Sequence, residues 1–199
     1  MTRPPRPNRL SALLALPRRF HRNETGATAI EFGMVSMPFL FLIFAIFEVA
    51  LAFWSSQILE TAVANAGRKL YTGEFQSSST YATADAGKTV AQTRLNNFKT
   101  LVCQNVTAVF NCQTAVSIDV QTFSSFSSAN VSTPPKKADG TYDTSSYTFM
   151  DPGASQITVV RASMLYPSIT KIPPGPGIML STGQRLMMAS AAFRTEPYK

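Results

Sequence analysis

The sequence predicts an α+β protein: a long N-terminal transmembrane helix that continues into an outer domain with a small antiparallel sheet and one additional helix. Three observations predict it. Residues 32–47 (FGMVSMPFLFLIFAIF) form an uncharged apolar run of 16 residues. An apolar stripe at helical spacing follows, with Ile58, Ala62, Ala66 and Leu70 recurring every four residues. Two later stretches, residues 115–123 and 157–166, carry the alternation and β-branched content of strands.

The chain opens on a basic segment. Arg3, Arg6, Arg9, Arg18, Arg19 and Arg22 all precede Gly26 and are opposed there only by Glu24, so this tail carries most of the net charge of +7. The basic balance therefore belongs to a tail and not to a folded face for nucleic acid, and no nucleic-acid partner is expected. The one histidine, His21, lies in the same tail. Without that tail the domain has no imidazole, which excludes Ser-His and Cys-His nucleophile pairs and His-containing zinc sites.

From Phe32 to Trp54 the chain would span roughly 34 Å as a helix, enough to cross a bilayer core of about 30 Å. Six arginines precede it and no Lys or Arg follows until Arg68, so the N-terminus is expected in the cytoplasm and the C-terminal domain outside the inner face. Membrane lipid is thus the first expected partner, and Trp54 suits the outer interface. Competing readings are a buried soluble helix, a plain single-pass anchor, and a secretory signal cut after Ala52 in the pattern Ala50-Leu51-Ala52. Pro38 sits mid-span, where a kink is expected.

Beyond Trp54, Leu59 and Val63 flank the stripe and carry the helix outward to a stop at Gly73. Residues 74–84 read as a Ser-rich connection, and residues 85–101 as a second amphipathic helix with Val90, Leu95, Phe98 and Leu101 apolar. In the first strand Val116, Ile118, Val120 and Thr122 share a face. Residues 184–194 have helical propensity, yet their place after a Pro-Gly loop suggests a third antiparallel strand. Residues 124–155 are too long for a tight hairpin and read as a mobile loop. Residues 167–183 read as a rigid, turn-rich excursion.

Cys103 and Cys112 have a spacing that suits neither C-x-x-C redox chemistry nor a zinc knuckle. Outside the inner membrane they are expected to form a disulfide closing the helix-to-strand turn; two buried free thiols are the alternative. The sequence contains no G-x-S-x-G, no Walker loop and no metal-ligand cluster, so neither an enzyme nor a cofactor is expected.

The junction Thr25-Gly26-Ala27-Thr28-Ala29-Ile30-Glu31-Phe32 is the most informative segment. An acid at the mouth of an apolar helix is costly and marks function. Cleavage after Gly26 would give Ala27 a new ammonium four residues from Glu31, on one helical face. Glu48, further along, is expected near the outer interface, where its neutralisation should matter less than that of Glu31.

This Gly-x-x-x-x-Glu-aromatic junction resembles that of type IV prepilins, and in particular the Flp-type prepilins and the TadE and TadF pseudopilins of the tight-adherence (Tad) pilus system. Pro38, the continuation SSQILETAVANAGRKL, the strand ITVVRASMLYP and the terminal Phe193-Arg194-Thr195-Glu196-Pro197-Tyr198 are also similar to the TadE pattern. Thr195 stands where Asn is commoner, and Phe32 where the major Flp pilin usually has Tyr. These departures and the length point to a minor pseudopilin.

The resemblance implies a basic cytoplasmic leader (1–26), a transmembrane and extended amphipathic helix (27–73) and a periplasmic α+β pseudopilin domain (74–199). It also implies a role in pilus assembly and processing at Gly26 and Ala27 by a prepilin peptidase. Glu31, with Phe32 beside it, is expected to set register between subunits through its charge pair with the Ala27 ammonium; snorkelling of Glu31 to the headgroups is the alternative. The implied partners are other pilins and pseudopilins and the inner-membrane Tad assembly machinery. The rival expectation is an envelope binding domain, anchored or cleaved by signal peptidase.

Overall fold

The computed structural model describes residues 26–79, 86–104, 106, 110–167 and 176–198. The basic leader up to Thr25, the expected helix start at Asp85 and residues 168–175 of the Pro-Gly excursion lie outside them. Among the described residues four helices and four strands follow one another: α1 (Ala27–Tyr71), α2 (Glu74–Ser77), α3 (Val90–Cys103), α4 (Cys112–Ala115), β1 (Val116–Phe123), β2 (Ile157–Tyr166), β3 (Ile178–Met179) and β4 (Arg185–Arg194). The protein is α+β, as its sequence predicts. The chain divides into two compact units between Ile46 and Phe47.

The first unit contains the start of α1. From residue 27 to residue 47 no side chain is buried, and Pro38 lies inside the helix.

The second unit is a sheet packed on the rest of α1 and on α3. All its strands pair antiparallel, in the order β1-β2-β4-β3. Because side chains alternate across a strand, the register sorts the sheet into two faces. One face carries Val116, Ile118 and Val120 of β1, aligned with Met164, Ala162 and Val160 of β2, and these with Met187, Ala189 and Ala191 of β4. It forms the core with Leu59, Ala62, Val63, Ala66 and Leu70 of α1 and Phe98, Leu101 and Val102 of α3.

Small residues let helix and sheet approach closely. A Cβ on Gly67 would stand 3.2 Å from Phe193 Cε1, and Tyr71 meets Phe193 edge-on at 6.1 Å. At the other end, Glu48 acts electrostatically on Tyr166, which pairs with Arg185. The lengths agree: Glu48 to Gly67 rises roughly 28 Å as helix, and Arg185 to Phe193 about 27 Å as strand, so α1 runs along β4.

The second face is polar and covered differently from what the composition suggests. Residues 124–155, expected as a mobile loop, are pinned across it at several points. Asp119 is fully buried and accepts from Arg161 Nε at 2.9 Å and Nη2 at 2.6 Å. It also accepts from Thr148 N at 2.9 Å. Tyr142 and Ser163 share a hydroxyl bond at 2.9 Å, and Arg161 lies 5.8 Å from the Tyr147 ring centre. The segment then returns along the free edge of β1. Val120 N donates to Thr148 O and Met150 N to Val120 O, both at 2.8 Å, closing a strand edge that would otherwise invite pairing with another chain. Phe149 thereby joins Phe75 and Phe98 in an aromatic cluster with ring centres 5.5 to 6.0 Å apart.

Other boundaries shift for local reasons. α3 begins at Val90 because Thr89 and Gln92 form a reciprocal capping box behind Gly87, whose φ is +81°. Val90, expected on the apolar face, is exposed. Ala115, expected in the first strand, ends the short α4 instead. β3 was not anticipated, since two residues between Pro-Gly and Thr-Gly turns give no periodicity.

Candidate functional site

The residues singled out at the junction stand together on one short stretch. Gly26 is exposed with open space where a Cβ would lie, and Ala27 opens α1. Glu31 and Phe32 follow one turn later, both exposed. The backbone at Gly26 is thus reachable from outside, and any ammonium created at Ala27 would sit one turn from the Glu31 carboxylate.

After this junction the helix presents apolar side chains in all directions. Ile30, Phe32, Met34, Val35, Met37, Phe39, Leu42, Phe44 and Ile46 are among its exposed large residues. A helix hydrophobic all round and not covered by its own chain is matched to an apolar surrounding. Residues 27–47 rise roughly 31 Å, close to the hydrocarbon thickness of a bilayer. This helix is long and apolar enough to cross a membrane.

The burial pattern changes at Glu48. From there Glu48, Ala52, Ser55, Leu59, Ala62, Val63, Ala66, Gly67 and Leu70 are buried at three- and four-residue spacing. The stripe therefore starts nearly three turns before Ile58, where the sequence reading began it. To the expected level of Glu48 near the outer interface the structure adds that its side chain is turned into the domain. It is only 8% exposed, and its charge acts on Tyr166, whose register partner Arg185 is itself 4% exposed. Burial, then the Glu48 charge, push the Tyr166 hydroxyl above its ordinary range, with Arg185 pulling the other way. Sequence reasoning missed this group; the small residues Ala52 and Ser55, four and seven positions on, are the signal that an inner face begins there.

Cys103 and Cys112 form a disulfide with Cα atoms 5.5 Å apart. It ties the end of α3 to α4 and so to the start of β1. Among the described residues no group of three or more His, Cys, Asp or Glu is placed to hold a metal ion.

The terminal motif acts as a clasp. Thr195 N donates to Gln156 O at 2.9 Å, Gln156 N to Thr195 Oγ1 at 2.9 Å, and Thr195 Oγ1 to Gly153 O at 2.6 Å. Glu196 N donates to Tyr71 O at 2.8 Å, capping a carbonyl at the end of α1. Tyr198 donates to Pro152 O and covers Gly73, whose φ of +78° and lack of a side chain both suit that contact. The hydroxyl of Thr195 both donates and accepts here.

No curated protein and no solved structure matches the chain. A family model does: that of TadE-like protein, over residues 26–68. The matched segment opens on the junction glycine and ends within the last turn of α1, leaving the sheet and the clasp outside it. From Gly26 to Arg68 the chain is similar to the TadE-like family.

Proposed function

We propose that the chain is a minor pilin-like protein, a prepseudopilin, that contributes to assembly of a Tad/Flp-type pilus. In this reading a prepilin peptidase cuts between Gly26 and Ala27, and the helix then packs with those of other pilins and pseudopilins within the inner-membrane Tad machinery. The N-terminus is cytoplasmic and the sheet domain periplasmic, where an oxidising environment keeps Cys103 and Cys112 joined. The protein's part is structural: it recognises and positions, and catalyses nothing.

One observation carries the reading. The family match begins at the glycine that precedes α1, and this glycine is exposed immediately before a helix whose first 21 residues bury nothing against their own chain. An acid follows within that helix at Glu31. After cleavage the Ala27 ammonium and the Glu31 carboxylate can pair within one subunit or between neighbours, which would fix axial register in a bundle of such helices.

N-terminal sequencing of the mature protein tests the proposal. Ala27 as first residue is expected, and Gly26→Val should leave the precursor intact, because a side chain there keeps the peptidase from the backbone. Phe53 as first residue would instead indicate signal peptidase. That cut would sever α1 beside the buried Ala52 and separate Glu48 from Tyr166.

A further inference from the structure

Between Glu48 and Ser55 the two sides of α1 meet different surroundings. Glu48, Ala52 and Ser55 are buried in the domain, while Val49, Leu51, Phe53 and Trp54 are exposed. Past Trp54 the exposed positions turn polar, with Gln57, Glu60, Thr61, Asn65 and Arg68. The domain thus begins at Glu48, yet an uncovered apolar face continues alongside it to Trp54, roughly 10 Å further along the helix. Interfacial elements sink about 5–10 Å into the headgroup and acyl boundary.

Among the described residues the end of the sheet at this level is equally short of exposed charge. Tyr166, Arg185 and Met179 are aligned across β2, β4 and β3 in one row, and the charge of Glu48, buried on the sheet side of α1, acts on Tyr166 in that row. Both charged members are buried. The edge strand leaves Ile178 and Met179 exposed at 37% and 36%, flanked by Pro176 and Gly177. An edge strand is ordinarily blunted with charge; among the described residues 165–167 and 176–180 there is no Asp, Glu, Lys or Arg.

We propose that this end of the domain, with Ile178 and Met179 of β3 and the Phe53–Trp54 face of α1, sits within the interfacial layer of a lipid bilayer. The occupant of the exposed apolar surface is lipid, because that surface continues the apolar helix without a polar break. The amphipathic rings of Trp54 and Tyr166 fit such a boundary. The inference rests on the reading of residues 27–47 as membrane-spanning. It adds a second lipid contact, made by the domain itself.

Trp54 is the single tryptophan, so depth can be read by fluorescence. The full chain, carrying Trp54→Phe, is reconstituted in phosphatidylcholine–phosphatidylglycerol vesicles with one new tryptophan at a time: Ile178→Trp, Phe41→Trp in the apolar helix, or Phe126→Trp beyond the opposite end of β1. Lipids brominated near the glycerol end of the acyl chain should quench Ile178→Trp on the order of twofold more than Phe126→Trp. Aqueous acrylamide should show the reverse order. Met179→Trp repeats the measurement should Ile178→Trp not fold.

If Phe41→Trp is quenched by deeply brominated lipid while Ile178→Trp and Met179→Trp behave like Phe126→Trp, the interfacial contact is wrong and the span stands. If Phe41→Trp is not quenched, the span is wrong and the contact falls with it.

Discussion

The parts of α1 on either side of Glu48 share one continuous helical backbone but use apolar side chains for opposite ends. Before Glu48, Phe, Leu, Ile and Met point in every direction and nothing is buried. After it, the apolar residues narrow to a stripe in which Ala52, Ala62, Ala66 and Gly67 alternate with Leu59, Val63 and Leu70, and the other side turns polar beyond Trp54. In the first part hydrophobicity matches a surrounding; in the second it matches a shape. Side-chain size therefore matters little in one and strongly in the other.

The largest expected effect breaks that equivalence with one substitution made twice. Leu59 is wholly buried and Leu40 is 49% exposed. Leu59→Ala should destabilise the domain by about 2–5 kcal/mol through lost burial and a cavity. Leu40→Ala should leave domain unfolding unchanged, as measured by thermal melts of the full chain in detergent. Equal losses would mean that the two parts of the helix are packed alike.

This contrast marks what the sequence made legible. The apolar run, the end of α1 before Gly73, both long outer strands and the cysteine pair were all readable, because each depends on local pattern. Even residues 184–194 resolved to a strand, since pairing with β2 overrides the helical propensity of LMMASAAF. What did not emerge depends on which surface covers which. Glu48 lies in an apolar run, and only the sheet's presence turns it inward. Phe149 sits in a Ser- and Thr-rich stretch, and only the free edge of β1 gives it a place beside Phe75 and Phe98. At the candidate site the acid at the mouth of an apolar run was visible in the sequence, whereas the function of Thr195 as a clasp was not.

The disulfide gives the next effect in size. Replacing Cys103 and Cys112 together by Ala should cost roughly 2–3 kcal/mol, the loop-closure value for about ten residues. The loss should appear only in the unfolding of the unit after Ile46. Alkylation of the native protein without reductant should label neither cysteine after denaturation, and full labelling would place the domain in a reducing compartment.

The two acids of α1 sharpen the comparison by separating folding from assembly. Glu48→Ala removes a buried acid whose charge acts on Tyr166, and should cost about 1–3 kcal/mol of domain stability. Glu31→Ala touches no core contact and should leave the melt unchanged. Under the proposed function it should be processed and inserted yet fail to co-purify with pilin partners, while Glu31→Asp keeps part of that capacity. Unaltered co-purification of Glu31→Ala would leave headgroup contact as the residue's role.

The smallest effect is a pH dependence, and it lies in the shape-matched unit alone. Asp151 pairs with Arg94 of α3 beside the carbonyl of Pro152 that receives Tyr198. Partial burial raises its carboxyl pKa above the ordinary value; the Arg94 charge and hydrogen bond pull it down without cancelling that rise. The folded chain therefore holds this proton more readily than the unfolded chain does. Its contribution to stability falls as pH climbs from the ordinary carboxyl pKa through the raised one, and recovers on acidification. Asp151→Asn mimics the protonated form, so its melting temperature should exceed that of the unmutated chain slightly near neutral pH. The difference should shrink towards zero as pH drops through the carboxyl range. Because the side chain is partly exposed, solvent screening keeps the shift well below that of Leu59→Ala. A deficit for Asp151→Asn at neutral pH that vanishes in acid would show that attraction to Arg94, and not burial, governs this group.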